Sequence, residues 1–487
     1  MTDTQARRVE PDLLHEPDVE RALEVEQHGF DYIHEEGRYL RPRALFPFWM
    51  GANAYIIYIF VGGLVLGLGL SLVQAAAAIV IGLLGFLLIG YASVGGARSG
   101  LPTMTFTRAA FGVRGNRLNA LLAWFELLAF EALNAIFGVF AVVAIFAKLG
   151  WTNSGHAGQL AALAIVIGAS ALVAVYGHRL LFAAQKLFAA GLTAVLVIVA
   201  IFAIDEVDWS HHGTVSGGKA IGVFLVACAV MAANPLSFFT VCADYPRYLP
   251  TRTPARKIAF WTVLGGGTIT LFLTLLGAAL ATTVDLADPV AGIEPLIPGW
   301  LFVPFAIAAA GGSIANNAIT FYSSGLTIQA IGLPLRRWVA TLVDCAVSTA
   351  IVLYILFFNE DLQTTLSNFL ALLNVWVGPF AAVWIVDGLL RRWRYDPVGI
   401  HTVGPSSPYW GTNGLNLKGL ASMGIGVVLG FLTINSPNVK GPVSSALWDG
   451  DLAWILPGVA AGAAYWLLAR RELRVSPSAA SAQEAGA

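Results

Sequence analysis

Long apolar runs, each close to the roughly 20 residues that a helix needs to cross the hydrocarbon of a membrane, alternate along this chain with short polar stretches. Twelve are read. The first six cover 45–70, 74–97, 119–147, 157–177, 181–204 and 219–243. The second six cover 258–282, 296–323, 336–358, 362–388, 415–435 and 450–469. The pattern predicts an all-α integral membrane protein with about 12 transmembrane helices. Two runs are interrupted: the first by Gly51-Ala52-Asn53, and the sixth by Asn234-Pro235, where proline removes a backbone donor and breaks the helical ladder. Discontinuous helices 1 and 6 are what a five-plus-five inverted repeat produces, with a substrate site between the breaks. On that reading 45–204 is the first repeat and 205–390 the second, while 391–470 holds a loop and the last two spans. Residues 1–44 form a polar, acidic N-terminal tail, and 471–487 a C-terminal tail with a disordered Ser/Ala-rich end.

Composition agrees. Of 487 residues 57% are hydrophobic and 12% charged, against roughly 25% charged in a soluble domain, and the mean hydropathy is +0.72. Lys+Arg number 28 and Asp+Glu 29, so no basic field exists to recruit nucleic acid. The distribution of the cations is informative, because Lys and Arg collect in cytoplasmic loops. With the N-terminus inside, all the Lys and Arg residues except Lys148, Lys186, Lys219 and Lys440 fall on the inner side. A multi-pass protein of the cell membrane with both termini cytoplasmic is the expectation. Cys228, Cys242 and Cys345 sit in apolar runs without CxxC or CxxH spacing, so neither a disulfide framework nor a metal site is expected.

Polar residues inside the spans carry the candidate chemistry, since they face a partner or a cavity. In the third span Glu131 and Asn134 stand at i, i+3 and Phe130 and Asn134 at i, i+4, which puts an aromatic plate, an acid and an amide on one helical side. Such a face can stack on a flat heterocycle and bond its edge. Glu126, five residues before Glu131, is read as structural. In the eighth span Ser313, Asn316 and Thr320 form a second polar stripe, and Asp344 in the ninth is a packing or relay residue. There is no GxSxG, HExxH, P-loop or Rossmann glycine pattern, so neither an enzyme nor a cofactor is expected, and energy must come from an ion gradient. His211-His212 is read as solvated.

Five separated motifs, in order, resemble the nucleobase-cation symporter family, purine-cytosine permease branch. They are Phe48-Trp49-Met50-Gly51-Ala52-Asn53; Gly100-Leu101-Pro102 through Arg108-Ala109-Ala110-Phe111-Gly112 to Gly115-Asn116; Phe130-Glu131 with Asn134; Ala243-Asp244-Tyr245-Pro246-Arg247-Tyr248-Leu249-Pro250; and Asn316-Asn317 to Tyr322-Ser323. The resemblance covers roughly residues 40–470 and implies a LeuT-type inverted repeat with substrate held between spans 1, 3, 6 and 8. It places Phe130 where relatives stack a base, Asn134 where they bond its edge, and Asn316 where they line the site. For the sixth-span plate it offers two positions, Phe238 and Pro235. Together with Asn53, Glu131 and Thr320, these give a substrate set of Asn53, Phe130, Glu131, Asn134, Phe238, Asn316 and Thr320.

Sodium-coupled relatives carry two hydroxyl residues just before the eighth-span Asn, whereas this chain has Ile314-Ala315. Aliphatic side chains cannot ligate a hard cation, so the coupling ion is expected to be a proton, with Glu131 as its carrier. The implied function is import of cytosine or a purine from one side of the bilayer to the other. Another flat heterocycle (allantoin, a hydantoin or uracil) and a transporter-like sensor that binds without transport are the alternatives.

Overall fold

The computed structural model describes residues 26, 29–151, 155–358 and 361–475; the remainder of both expected tails lies outside the described residues. Among the described residues nine helices are long and apolar enough to cross a membrane, and a bent pair makes a tenth. That pair is span 1, in which Leu45–Asn53 and Ile57–Gly67 meet at 62° across Ala54–Ile56. The eleventh expected span is a shorter apolar helix, Leu417–Thr433, and the twelfth is Leu456–Val475.

The break in span 1 is held by its own side chains. Asn53 Nδ2 donates back to the Trp49 carbonyl at 2.9 Å, while its Oδ1 accepts from Tyr58 Oη at 2.7 Å and Thr270 Oγ1 at 3.3 Å. Two glycines let other helices reach the break. A Cβ on Gly51 would stand 2.3 Å from the Gln185 carbonyl of span 5 (His178–Ala203), and one on Gly312 would stand 2.5 Å from the Ala54 carbonyl. Span 2 (Leu72–Ser99) starts at a capping box, Ser71 Oγ accepting from Gln74 N and Gln74 Oε1 from Ser71 N.

Span 6 differs from the sequence expectation in where it unwinds. The α-helix runs Gly217–Ser237, straight through Asn234-Pro235, and then gives way to a 3-10 turn, Phe238–Thr240, and a non-helical stretch up to a second 3-10 turn, Pro246–Tyr248. Pro235 packs against Gly85 of span 2, so the helix survives the lost donor for one more turn. Spans 3 (Gly115–Lys148) and 8 (Gly299–Ile331) are the two longest helices, and they make the most extensive helix-to-helix contact in the molecule. Span 7 (Ala255–Leu280) contains a π-turn at Val263–Gly267, whose Gly265 lies under Phe46 and Trp49 of span 1.

Span 4 is Gly155–Tyr176, span 9 Arg337–Phe358 and span 10 Leu362–Arg391. The arginine-rich ends of the spans converge on the N-terminal segment, where Ile33, Arg38 and Leu40 are buried rather than exposed as parts of a free tail.

Candidate functional site

A cavity lies where the break of span 1 faces spans 3, 6, 8 and 10. Tyr55 and Tyr58 enter it from span 1, Phe130 and Asn134 from span 3, Phe238 from the unwound end of span 6, and Asn316 and Thr320 from span 8. Apolar side chains such as Met231, Ile319 and Leu370 form most of the remaining wall. Asn134 Nδ2 donates to Asn316 Oδ1 at 2.7 Å, and Asn316 Nδ2 donates to the Ala52 carbonyl at 2.6 Å, a chain of amides that ties spans 3, 8 and 1 together. A second chain runs from Asn234 Nδ2 to Tyr58 Oη, 2.9 Å, and on to Asn53 Oδ1. Phe130 meets Phe369 edge-on at 5.1 Å, and Phe238 meets Trp49 edge-on at 5.0 Å, which leaves ring faces available to a flat ligand.

Five of the seven residues read from the sequence, Phe130, Asn134, Phe238, Asn316 and Thr320, meet in this cavity. Of the two positions offered for the sixth-span plate, Phe238 lines it and Pro235 does not. Asn53 and Glu131 do not reach it. Asn53 stands behind Tyr58 and is consumed by holding the break. Glu131 is fully buried on the far side of span 3, among Asp344 and Ser348 of span 9 and Ser324 of span 8, with no hydrogen bond to either of its oxygens. Asp344 Oδ1 accepts from Trp124 Nε1 at 2.7 Å and Ser324 Oγ at 2.6 Å.

Helical geometry explains the exchange of roles between the two glutamates of span 3. At about 100° per residue, Glu126, Asn134 and Leu127 lie within about 60° of Phe130 around the axis, whereas Glu131 lies about 100° away. The cavity takes the first group, Glu126 included. The i, i+4, i+8 series 126, 130, 134 was the signal for it. Asn234 and Ser237 of span 6 also line the cavity and were not read as site residues.

Below the cavity lies a network of buried polar side chains. Tyr245, which forms part of the cavity floor, bonds Ser323 at 3.0 Å. Beneath it Glu26 is buried among groups of spans 4, 5, 8 and 9 and of the stretch after span 6. Its carboxylate accepts from Tyr248 Oη at 2.5 Å, Tyr322 Oη at 3.1 Å, Arg247 Nη2 at 3.4 Å and the backbone N–H of His178 at 2.7 Å. Arg337 stands 4.0 Å from the same carboxylate and donates to the carbonyls of Ala174 and Val175. Burial alone would raise the Glu26 pKa, but Arg337, Arg247 and His178 outweigh it and hold the group below its ordinary value. Asp244 joins two motifs far apart in sequence: its Oδ1 accepts from Thr103 N at 2.8 Å and Thr103 Oγ1 at 2.9 Å. Burial lifts its pKa to about 6 despite those bonds.

Residues 32–456 match the family described as permeases for cytosine/purines, uracil, thiamine and allantoin. The chain belongs to that family. Over 467 residues the permease is 26% identical to a Bacillus subtilis protein named putative purine-cytosine permease YxlA, covering 93% of this chain and 97% of the relative. The Emericella nidulans purine-cytosine permease fcyB is 25% identical over 449 residues, 88% and 84% of the two chains. The fold is that of Mhp1, a nucleobase-cation-symport-1 family transporter solved in a closed conformation with bromovinylhydantoin bound, with a TM-score of 0.74 over 97% of this chain and 100% of that one at 17% identity. The architecture is thus the LeuT-type fold. In this permease the Ala315 carbonyl accepts from Gln185 Nε2 at 2.6 Å.

Proposed function

We propose that this permease imports a flat nucleobase, cytosine or a purine, together with a proton, by alternating access around the cavity between spans 1, 3, 6, 8 and 10. The observation that carries this reading is the meeting of Phe130, Phe238 and the linked amides Asn134 and Asn316 in one cavity, a combination suited to stacking a heterocycle and bonding its edge. The arginine-rich end that buries Glu26 is the cytoplasmic side, and the repeats 45–204 and 205–390 rock against each other to open and close it.

A proton is favoured over sodium because the span-8 carbonyl ahead of Asn316 serves the Gln185 amide, and its neighbouring side chains are aliphatic. Glu131 is the coupling residue in this reading, acting beside Asp344 rather than on the base. Two carboxyl groups packed together at that depth cannot both carry charge, so the pair holds a proton, and span 3 transmits its gain or loss to Asn134 one turn away.

Uptake of radiolabelled cytosine and adenine into a transport-deficient host, and counterflow in proteoliposomes under an imposed pH gradient without sodium, test the reading. Accumulation is expected in the wild type, and exchange without accumulation in Glu131→Gln. Saturable binding without counterflow would make the protein a sensor. Dependence on external sodium would overturn the proton, and accumulation that survives Glu131→Gln would clear that residue. Competition by uracil, allantoin and hydantoins ranks the other heterocycles that the family description makes candidates.

A further inference from the structure

Glu126 is a buried acid that neither the family motifs nor the coupling pair accounts for. It is 3% exposed, lines the cavity, and has no hydrogen bond to either carboxyl oxygen. Its nearest hydroxyl, that of Thr240, already donates to the Ser237 carbonyl at 2.8 Å. Across the cavity Asn234 Oδ1 is also buried without a partner. The amide nitrogens of Asn134, Asn316 and Asn234 each give one of their two N–H groups to a protein acceptor, and the Tyr58 hydroxyl gives its one. At Glu126 and Asn234 Oδ1 the cavity therefore offers a ligand unmatched acceptor oxygens. A buried acceptor left unmatched is costly, and a ligand that brings N–H groups to it removes that cost.

We propose that Glu126 is a specificity-determining residue, whose carboxyl oxygens receive the exocyclic amino group of the base stacked beside Phe130, so that the site prefers amino-heterocycles to their oxo counterparts. Cytosine and uracil, like adenine and hypoxanthine, differ in that amino group, a donor that a carbonyl acceptor replaces, and in the ring nitrogen beside it, an acceptor in the amino base and an N–H donor in the oxo base. A carbonyl turned toward Glu126 and Asn234 Oδ1 would face acceptors only. The placement fits: Glu126 stands one turn from Phe130 and two from Asn134 on the same stripe, so one flat ring can lie on the aromatic side chain and present its edge to both polar groups. The inference rests on the reading of the cavity as a nucleobase site and adds to it the atom that decides among bases.

The experiment is direct binding of cytosine, uracil, adenine and hypoxanthine to the purified full-length protein by calorimetry, for wild type, Glu126→Gln and Glu126→Leu. The wild type is expected to hold the amino member of each pair on the order of ten to a hundred times more tightly. In Glu126→Leu that ratio is expected to fall to within about twofold of unity through weaker binding of cytosine and adenine, with the oxo bases little changed. Glu126→Gln, which retains one acceptor, should fall between the two. Retained binding of uracil or hypoxanthine shows that a variant is folded. A wild-type ratio near unity, or a wild-type ratio preserved in Glu126→Leu, overturns the role of Glu126 while the nucleobase reading stands. Failure of the wild type to bind any of the four overturns both.

Discussion

Glu26 and Glu126 are the same residue type at the same depth of burial, 2% and 3% exposed, and their surroundings are opposites. Glu26 accepts hydrogen bonds from Arg247, Tyr248, Tyr322 and the backbone of His178, with Arg337 close by. Glu126 accepts none. Both carboxyl oxygens of Glu26 are bonded, and the network ties spans 4, 5, 8 and 9 and the stretch after span 6 to the N-terminal segment. Glu126 leaves both carboxyl oxygens unpaired at the wall of the cavity, where a ligand could supply the missing donors. On the proposed reading, the bonded acid belongs to the gate and the unbonded one faces the cargo.

The comparison is broken most severely by taking the acid out of the gate. Glu26→Gln leaves Arg247 and Arg337 buried near a neutral amide, and removing one partner of a buried ion pair costs about 3–5 kcal/mol. Part of that cost is escaped by opening. A lower thermal-unfolding midpoint is expected in detergent, together with faster alkylation of a cysteine placed at Ser237 by a reagent supplied from the arginine-rich side. An unchanged midpoint and an unchanged alkylation rate would mean that Glu26 does not bolt the gate.

A smaller effect is expected in the cavity. Asn134→Ala removes the donor that Asn316 Oδ1 uses at 2.7 Å and an edge contact for the base. The expected loss is about 1–3 kcal/mol of binding free energy, or roughly ten- to a hundredfold in Kd for every base, with a modest change in unfolding midpoint. Calorimetry on the variant checks it; wild-type affinity would make Asn134 a helix-packing residue. Set beside Glu26→Gln, the pair should separate cleanly, one variant altering access and the other affinity.

Much of this was legible beforehand because the membrane writes its thickness into the sequence. All twelve expected spans correspond to helices, with bounds within a few residues for most, and the Phe130–Asn134 stripe led to the cavity because i, i+4 spacing fixes a common face. The placement of Glu126 was announced by its i, i+4, i+8 series with Phe130 and Asn134 and was passed over, whereas the packing of Glu131 beside Asp344 of span 9 had no local signal. The point of unwinding in span 6 was misplaced by about one turn, because Gly85 gives Pro235 a packing surface that no local signal announces. Most hidden of all was Glu26. Its partners His178, Arg247 and Tyr322 are 152, 221 and 296 positions away, so a tail that reads as solvated charge becomes part of the gate only once the helices have assembled.

The finest test of the comparison uses pH to remove the gate's charge without changing its atoms. Burial would raise the Glu26 pKa, but Arg337, Arg247 and His178, with the Tyr248 hydrogen bond, bring it below the ordinary glutamate value in the folded protein. A group whose pKa is depressed by folding contributes its full stabilisation above its unfolded value and loses it as pH falls through the folded one. The gap in stability between wild type and Glu26→Gln should accordingly be constant from neutral pH down to about pH 5, then narrow on further acidification by no more than about 1.4 kcal/mol per pH unit. Thermal-unfolding midpoints of the two proteins in matched buffers read the gap directly. A gap that stays constant through the acid range would mean that the Glu26 carboxylate is not preferentially charged in the gate, and the arginines around it would then be held by the tyrosines and backbone carbonyls alone.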